Sequence, residues 1–259
     1  MSDAPEQLAE GTLISHLLEL RDRLIKALLA FVIASVPCMI FAKDLFTLIA
    51  KPLIAKLPQG ATLIATSVTA PFMAPFKLAL YLGVFAAMPI VLYQLWAFVA
   101  PGLYKHEKKF ALPLLVSSIV LFYVGAVFAY FTVFPVMFEF FARTTPVGVT
   151  MMTDISNYLD FVMTMFFAFG VAFEVPVAVI LLAITGLVSL DKLRNNRGYV
   201  AIGIAIVAAV LTPPDGVSLI IMAVPMYLLY EGGLLVARAM IKMRKADADN
   251  RAAEEEAEA

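Results

Sequence analysis

Little in this chain could carry covalent chemistry. Its 259 residues include one cysteine, Cys38, and two histidines, His16 and His106. A single thiol excludes an internal disulfide, a CxxC redox pair and a zinc knuckle. Two isolated histidines are too few for a catalytic metal site, and HEKKF at 106–110 lacks the second histidine of a zinc-protease helix. There is no GxSxG, no HExxH and no pair of intramembrane aspartates, which argues against a protease. No nucleotide-binding loop and no internal repeat is present. Charge is scarce too. Only 15% of residues are charged, against about 25% in soluble domains, and a net charge of −1 argues against a nucleic-acid partner. The start, MSDAPEQLAEGT, is acidic and lacks the basic region of a secretory signal, so the first apolar stretch is expected to be a retained span.

What fills the chain instead is apolar: 62% of it, with a mean hydropathy of +0.91. One aqueous core cannot absorb that excess over the usual composition of about 45–50%, so much of it must face lipid. About 20 residues at roughly 1.5 Å rise cross a bilayer core. On that length the chain reads as an all-α membrane protein with six spans, near 24–42, 78–100, 111–135, 160–187, 198–213 and 217–236. Residues 1–23 precede them as a cytoplasmic amphipathic segment, and 237–259 follow as a charged tail ending in EEEAEA, either a solvated helix extension or disordered. The third span is expected to end near Pro135, and the last two are short for a full crossing, which suggests locally thinned bilayer or shielding by neighbours. Of the outer segments, 43–77 has room for one or two short helices, and 139–159 carries Pro146, Gly148 and Asp154.

Orientation follows from basic residues. With both termini in the cytoplasm, 14 of the 19 lysines and arginines lie inside, among them Arg21, Arg23, Lys105, Lys108, Arg197 and Arg238. The outer side keeps five, namely Lys43, Lys51, Lys56, Lys77 and Arg143. The flipped topology would reverse this bias.

Four places could carry function. In SHLLELRDRLIK (15–26), leucines 13, 17, 20 and 24 recur at helical spacing, which predicts an amphipathic helix lying at the membrane surface before the first span. Glu19 sits there four residues before Arg23, the spacing of an ordinary i,i+4 salt bridge. In PGLYKHEKKF (101–110), Glu107 stands among Lys105, His106, Lys108 and Lys109, where the dipole of the third span would favour a carboxylate; Trp96 and Phe98 precede it as boundary aromatics. Glu174 lies deep in the fourth span, where a carboxylate must face protein or a water-filled cavity, as a functional group or a structural hydrogen-bond partner. In TPPDG (212–216), Pro213 and Pro214 end one helix, and Asp215 can cap the next.

These segments in order, SHLLELRDRL, SVTAPF (67–72), PIVLYQLWAFVAPGLYKHEKK (89–109), FAFGVAFEVPVAV (167–179), LTPPDG and VPMYLLYE (224–231), resemble the TatC family of twin-arginine translocase subunits from about residue 12 to 238. The resemblance implies a receptor in the bacterial plasma (inner) membrane, without catalytic turnover or cofactor, that binds twin-arginine signal peptides of folded cargo. Transport would be driven by the proton-motive force, with TatB-like and TatA-like single-span subunits as partners in a homo- or hetero-oligomeric complex surrounded by lipid. By the same resemblance Glu107 and Glu19 receive the paired guanidinium groups, Phe98 and Arg21 shape the site, Glu174 meets a partner helix, and Pro52, Pro89 and Asp215 are structural or functional. A guanidinium donates two parallel hydrogen bonds to one carboxylate, which an ammonium cannot reproduce. One departure stands out: family members commonly carry glutamine shortly after TPPD, where this chain has Leu219. The competing reading, a proton-coupled secondary transporter using Glu174, predicts internal repeats and paired broken helices at mid-membrane.

Overall fold

The computed structural model describes residues 4–54, 63–99, 108–146, 149, 152–212 and 215–258, and among these the regular structure is helical, apart from one isolated β-bridge. Helix α1 spans Ala4–Ile40, α2 Ala42–Ile54, α3 Ala70–Val99, α4 Lys108–Phe128, α5 Phe134–Thr144, α6 Ile155–Ala172, α7 Val175–Ile184, α8 Leu190–Asn195, α9 Arg197–Leu211 and α10 Gly216–Glu258. Five helical runs are long and apolar enough to cross a membrane: Ile14–Ile40, Ala70–Phe98, Leu112–Thr144, Ile155–Ile184 and Gly216–Met243. The sixth, α9, is apolar but only 15 residues long, about 22 Å against the roughly 30 Å of a hydrocarbon core. Leu24, Leu28, Ile33 and Val36 on α1 and Ile202, Ile206 and Val210 on α9 are all exposed. Large apolar side chains placed outward on several sides of a helix have lipid as their natural environment.

Four boundaries differ from the expected ones, each for a local reason. The amphipathic segment before the first span is not a separate surface helix. One helix runs from Ala4 through it to Ile40, because neither glycine nor proline interrupts the chain between Thr12 and Val36, and Pro37 falls only in the last turn. The third span does not end near Pro135. Residues Ala129–Val133 form a π-turn in which the Phe134 amide donates to the Ala129 carbonyl, so the missing proline N–H falls in the first turn of α5, where it is tolerated, and the run continues to Thr144. The fourth span, in contrast, is broken: Pro176 cannot continue α6, residues 173–174 turn with Glu174 N–H on the Val171 carbonyl, and α7 restarts at Val175. The last span is the beginning of α10, which carries on through the Ala- and Glu-rich tail as the helix-extension alternative, with neither glycine nor proline after Gly233 to stop it.

The chain forms two compact units. The first comprises 1–119 and 145–163. Its axis is the crossing of α1 on α3, where Gly83 lies against Ser35 so closely that an added Cβ would sit 2.8 Å from the Ser35 Cα. The Ser35 hydroxyl donates back to the Phe31 carbonyl at 2.8 Å and so leaves no unmet donor in that apolar contact. Ala74, Leu78, Ala79, Ala87, Leu92 and Trp96 line the buried side of α3. Trp96, expected as a boundary aromatic, is part of that core. The Tyr158 hydroxyl on α6 donates to the Ile49 carbonyl at 2.7 Å and ties α2 to α6.

A carboxylate clamps the loop before α3 to the start of α6. Asp154 Oδ1 accepts from the amides of Ser156 (2.9 Å) and Asn157 (3.2 Å) as the N-cap of α6. Its Oδ2 accepts from the Thr66 amide (3.0 Å) and hydroxyl (2.7 Å). A parallel bridge between Ile64 and Asp154 runs alongside. These bonds, the Thr66 hydroxyl first, hold the Asp154 carboxyl down at about 2, below its ordinary 3.8. Since the folded value is depressed, the clamp stabilises fully above the unfolded value and is lost as pH falls through about 2. Pepsin nicking of 63–69 should therefore rise as pH drops from about 4 to 2, relative to an Asp154→Asn variant that is already loosened; parallel profiles would contradict the clamp.

The second unit comprises 120–144 and 164–259. Gly125 of α4 meets the Phe169 carbonyl of α6, and Gly170 meets the Phe122 ring, each so closely that a Cβ would collide. Phe122, Phe134, Met137 and Phe169 are fully buried around this contact. Phe134 packs edge-on against Phe166 with centroids 5.1 Å apart. On α10, Met222, Met226, Tyr230, Leu234 and Ala237 recur every three or four residues as one buried stripe. Gly233 lets that helix pass against Pro176 of α7.

Candidate functional site

In the first unit, the α1–α3 crossing brings together three side chains that the sequence singled out, Glu19, Arg23 and Phe98, and two that it did not, Gln94 and His16. Glu19 lies near the N-terminal end of the Ile14–Ile40 run of α1, and its Oε1 accepts both Nε (3.0 Å) and Nη2 of Arg23 one turn later. The i,i+4 pair expected from spacing is therefore formed. It uses one carboxylate oxygen. Oε2 accepts no hydrogen bond from any described residue. Arg23 also reaches across to α3, where Nη1 lies 3.5 Å from the Gln94 Oε1. One turn further along α3, Phe98 stacks on His16 of α1 with centroids 4.3 Å apart and planes 26° from parallel.

The result is a half-buried patch with a partly open carboxylate, an amide and a flat aromatic pair. Such a patch suits a guanidinium. The carboxylate supplies charge and lone pairs, the Gln94 carbonyl a further acceptor, and the ring faces a surface on which a planar cation can lie. Gln94 and His16 were visible in the sequence only as a polar residue inside an apolar run and an isolated histidine. Gln94 carried the stronger signal, since a polar side chain in a span needs a partner.

Arg21 is not part of this patch: it pairs with its neighbour Asp22 at 2.8 Å, and both side chains are exposed. Glu107 lies outside the described residues. Pro89 lies inside α3, half-buried, and Pro52 lies within α2.

The second unit holds the other two. Glu174 occupies the break between α6 and α7, at the N-cap position of α7, with its Oε1 buried and its side chain making no capping bond. A carboxylate at a helix break deep in a span has both the α7 dipole and a freed backbone near it. Asp215 caps α10 as expected, accepting from the Ser218 amide at 2.6 Å. The unit also contains an ion pair that the sequence reading missed. Arg197 at the start of α9 donates to Glu231 of α10 at 2.6 Å, and Tyr227 donates to the same carboxylate at 3.0 Å. Glu231 closes the quoted motif VPMYLLYE, and a carboxylate inside an apolar helix facing a basic residue at the start of another was the available signal. Among the described residues no cluster of histidine, cysteine, aspartate and glutamate could hold a metal ion.

Comparison with known proteins agrees with this architecture. A family model described as Sec-independent protein translocase protein (TatC) matches residues 15–225. The chain is 55% identical over 234 residues to the Sec-independent protein translocase protein TatC of Azotobacter chroococcum mcd 1, covering 90% of this chain and 92% of that one. It is 50% identical over 226 residues to that of Escherichia coli strain K12, covering 87% and 88%. Among solved structures, the crystal structure of a twin-arginine translocase receptor TatC superposes with a TM-score of 0.77 at 37% identity, covering 86% of this chain and 98% of the other. Nearly full-length similarity at these identities leaves no separate fold to account for. The chain belongs to the TatC family.

Proposed function

We propose that the patch on α1 and α3 is where this chain receives the paired arginines of a signal peptide, as the receptor subunit of a Sec-independent, twin-arginine translocase. The observation that carries this reading is Glu19. Its carboxylate is held by Arg23 through one oxygen while the other accepts nothing among the described residues, beside the Phe98–His16 stack. An incoming guanidinium can bind Oε2 first and then replace Arg23 to become bidentate. The bond to Oε2 is the gain, since a charge-assisted bond contributes about 1.5–3 kcal/mol. Releasing an i,i+4 pair costs only about 0.3–0.5 kcal/mol, and replacing Arg23 exchanges one guanidinium for another. Glu107, on the segment that joins α3 to α4, is the second acceptor in this reading.

The chain is a multi-pass protein of the bacterial inner membrane, as its apolar helices and its family indicate. The basic-residue bias supports placing both termini, and with them the α1–α3 patch, in the cytoplasm. Membership in a translocase family implies assembly with other subunits, for which TatB-like and TatA-like single-span proteins are our candidates, with Glu174 as a contact. In this role the chain binds and organises rather than catalyses. The transporter reading gains a broken helix at Glu174 but no repeat, and the family similarity sets it aside.

A photocrosslinker at position 98 is expected to capture an Arg-Arg signal peptide, whereas one at the outward Val210 of α9 captures none. Capture at 210 alone would overturn the assignment.

A further inference from the structure

At the charged end of the α9–α10 hairpin, in the second unit, a cleft of about 230 Å³ is lined by Leu190, Asp191, Arg194, Arg197, Leu234, Leu235 and Arg238. The geometry points to this cleft as a site for the phosphodiester headgroup of an anionic phospholipid, held by Arg194, Arg197 and Arg238.

Charge comes first. Glu231 neutralises Arg197, which leaves Arg194 and Arg238 facing Asp191. Neither of those two arginines makes an ion pair among the described residues. The pairing of Arg197 is itself incomplete: Nη2 is committed to Glu231, but Nε is buried without a hydrogen-bond partner among the described residues. A buried donor left open costs free energy that an anion's oxygen would recover. Three guanidinium groups on one small cleft match the several acceptor oxygens of a phosphodiester.

Position comes second. Arg197 begins the apolar helix α9, and Arg238 lies near the end of the apolar stretch Gly216–Met243, so both mark the level at which apolar sequence gives way to charge. That is the depth of a phospholipid headgroup. The rim is apolar: Leu235 lines the cleft while 66% exposed, and Tyr199, two residues beyond Arg197, is 78% exposed. Acyl chains have a use for that rim and a free phosphate ion has none, which favours the lipid over the soluble anion. The chain's own acidic tail is excluded as occupant. Because α10 is continuous to Glu258, Glu254 lies about 24 Å further along the helix than Arg238.

The test compares phosphatidylglycerol with phosphatidylcholine on the full chain, counting retained lipid by native mass spectrometry after release from mixed nanodiscs. Wild type should retain phosphatidylglycerol in about tenfold preference, and Arg194→Gln with Arg238→Gln should remove most of that preference. Both side chains are exposed, so the fold should tolerate the change. As a check independent of the variants, phosphatidylglycerol should slow phenylglyoxal modification of Arg194 and Arg238 in wild type, and phosphatidylcholine should not. Equal retention of the two lipids, or undiminished preference in the double variant, would overturn the proposal. So would displacement of the lipid by millimolar inorganic phosphate, which would mark a soluble-anion site instead.

Discussion

Replacing Glu19 with glutamine is expected to weaken binding of an Arg-Arg signal peptide by about ten- to a hundredfold, the equivalent of one lost charge-assisted bond. Titration of the detergent-solubilised protein with a labelled peptide measures it. The glutamine keeps an acceptor oxygen and the shape of the side chain, so the loss isolates charge and bidentate geometry from packing. The companion change has the opposite sign. Arg23→Gln removes the guanidinium that occupies Oε1, so the incoming arginine no longer has to displace it, and binding should tighten by about twofold, in line with the few tenths of a kcal/mol that such a pair is worth. A purely structural role for the pair predicts otherwise: both variants would then weaken binding together, through loss of the α1 conformation. Glu107→Ala should reduce binding as well, without lowering the unfolding temperature.

Gly83→Ala is expected to destabilise the first unit by about 1–3 kcal/mol and to reduce peptide binding along with it. The added methyl would stand 2.1 Å from the Ser35 Oγ and 2.8 Å from its Cα. A hydroxyl can rotate away, but the Cα belongs to the α1 backbone, so the helices must separate by the better part of an ångström. Ser35→Gly in the same chain removes the first clash and leaves the second, and so should restore only part of the loss. Separation at this crossing also moves the ends of α1 and α3, where Arg23 reaches Gln94 and His16 stacks on Phe98. Thermal unfolding in detergent reads the first effect, and crosslinking from position 98 reads the second. An alanine variant with wild-type stability and binding would show that the crossing does not position the patch.

Apolar run length picks out five helical runs of 27 to 33 residues and the shorter apolar α9, because each has few charges. Charge spacing was enough to pair Glu19 with Arg23, since the contact is local to one helix. What was not legible depended on contacts between helices. That Gln94 and Phe98 join Glu19 follows from α1 crossing α3 at Gly83, and no pattern in either segment states where two helices meet. Proline was misread twice, in opposite directions. Pro135 looked like a stop, yet a π-turn carries the helix past it; Pro176 sat inside a long apolar run, yet it breaks the helix at Glu174. Whether a proline ends a helix depends on where the carbonyls of the preceding turn find donors, and that is set by packing. Asp154 was legible and overlooked: an aspartate directly before ISN and an apolar run is an N-cap signal, but its second partner, Thr66, lies 88 residues away.

In the proposed site, carboxylates should read arginine by its fork and not by its charge alone. The most direct measurement is the ratio of affinities for Arg-Arg and Lys-Lys signal peptides, in wild type and in a Glu19→Gln, Glu107→Gln double variant. Wild type should favour Arg-Arg by about tenfold or more, and the double variant should bind both peptides weakly and nearly equally. A double variant that kept the full preference for Arg-Arg would contradict the account and place recognition elsewhere on the protein.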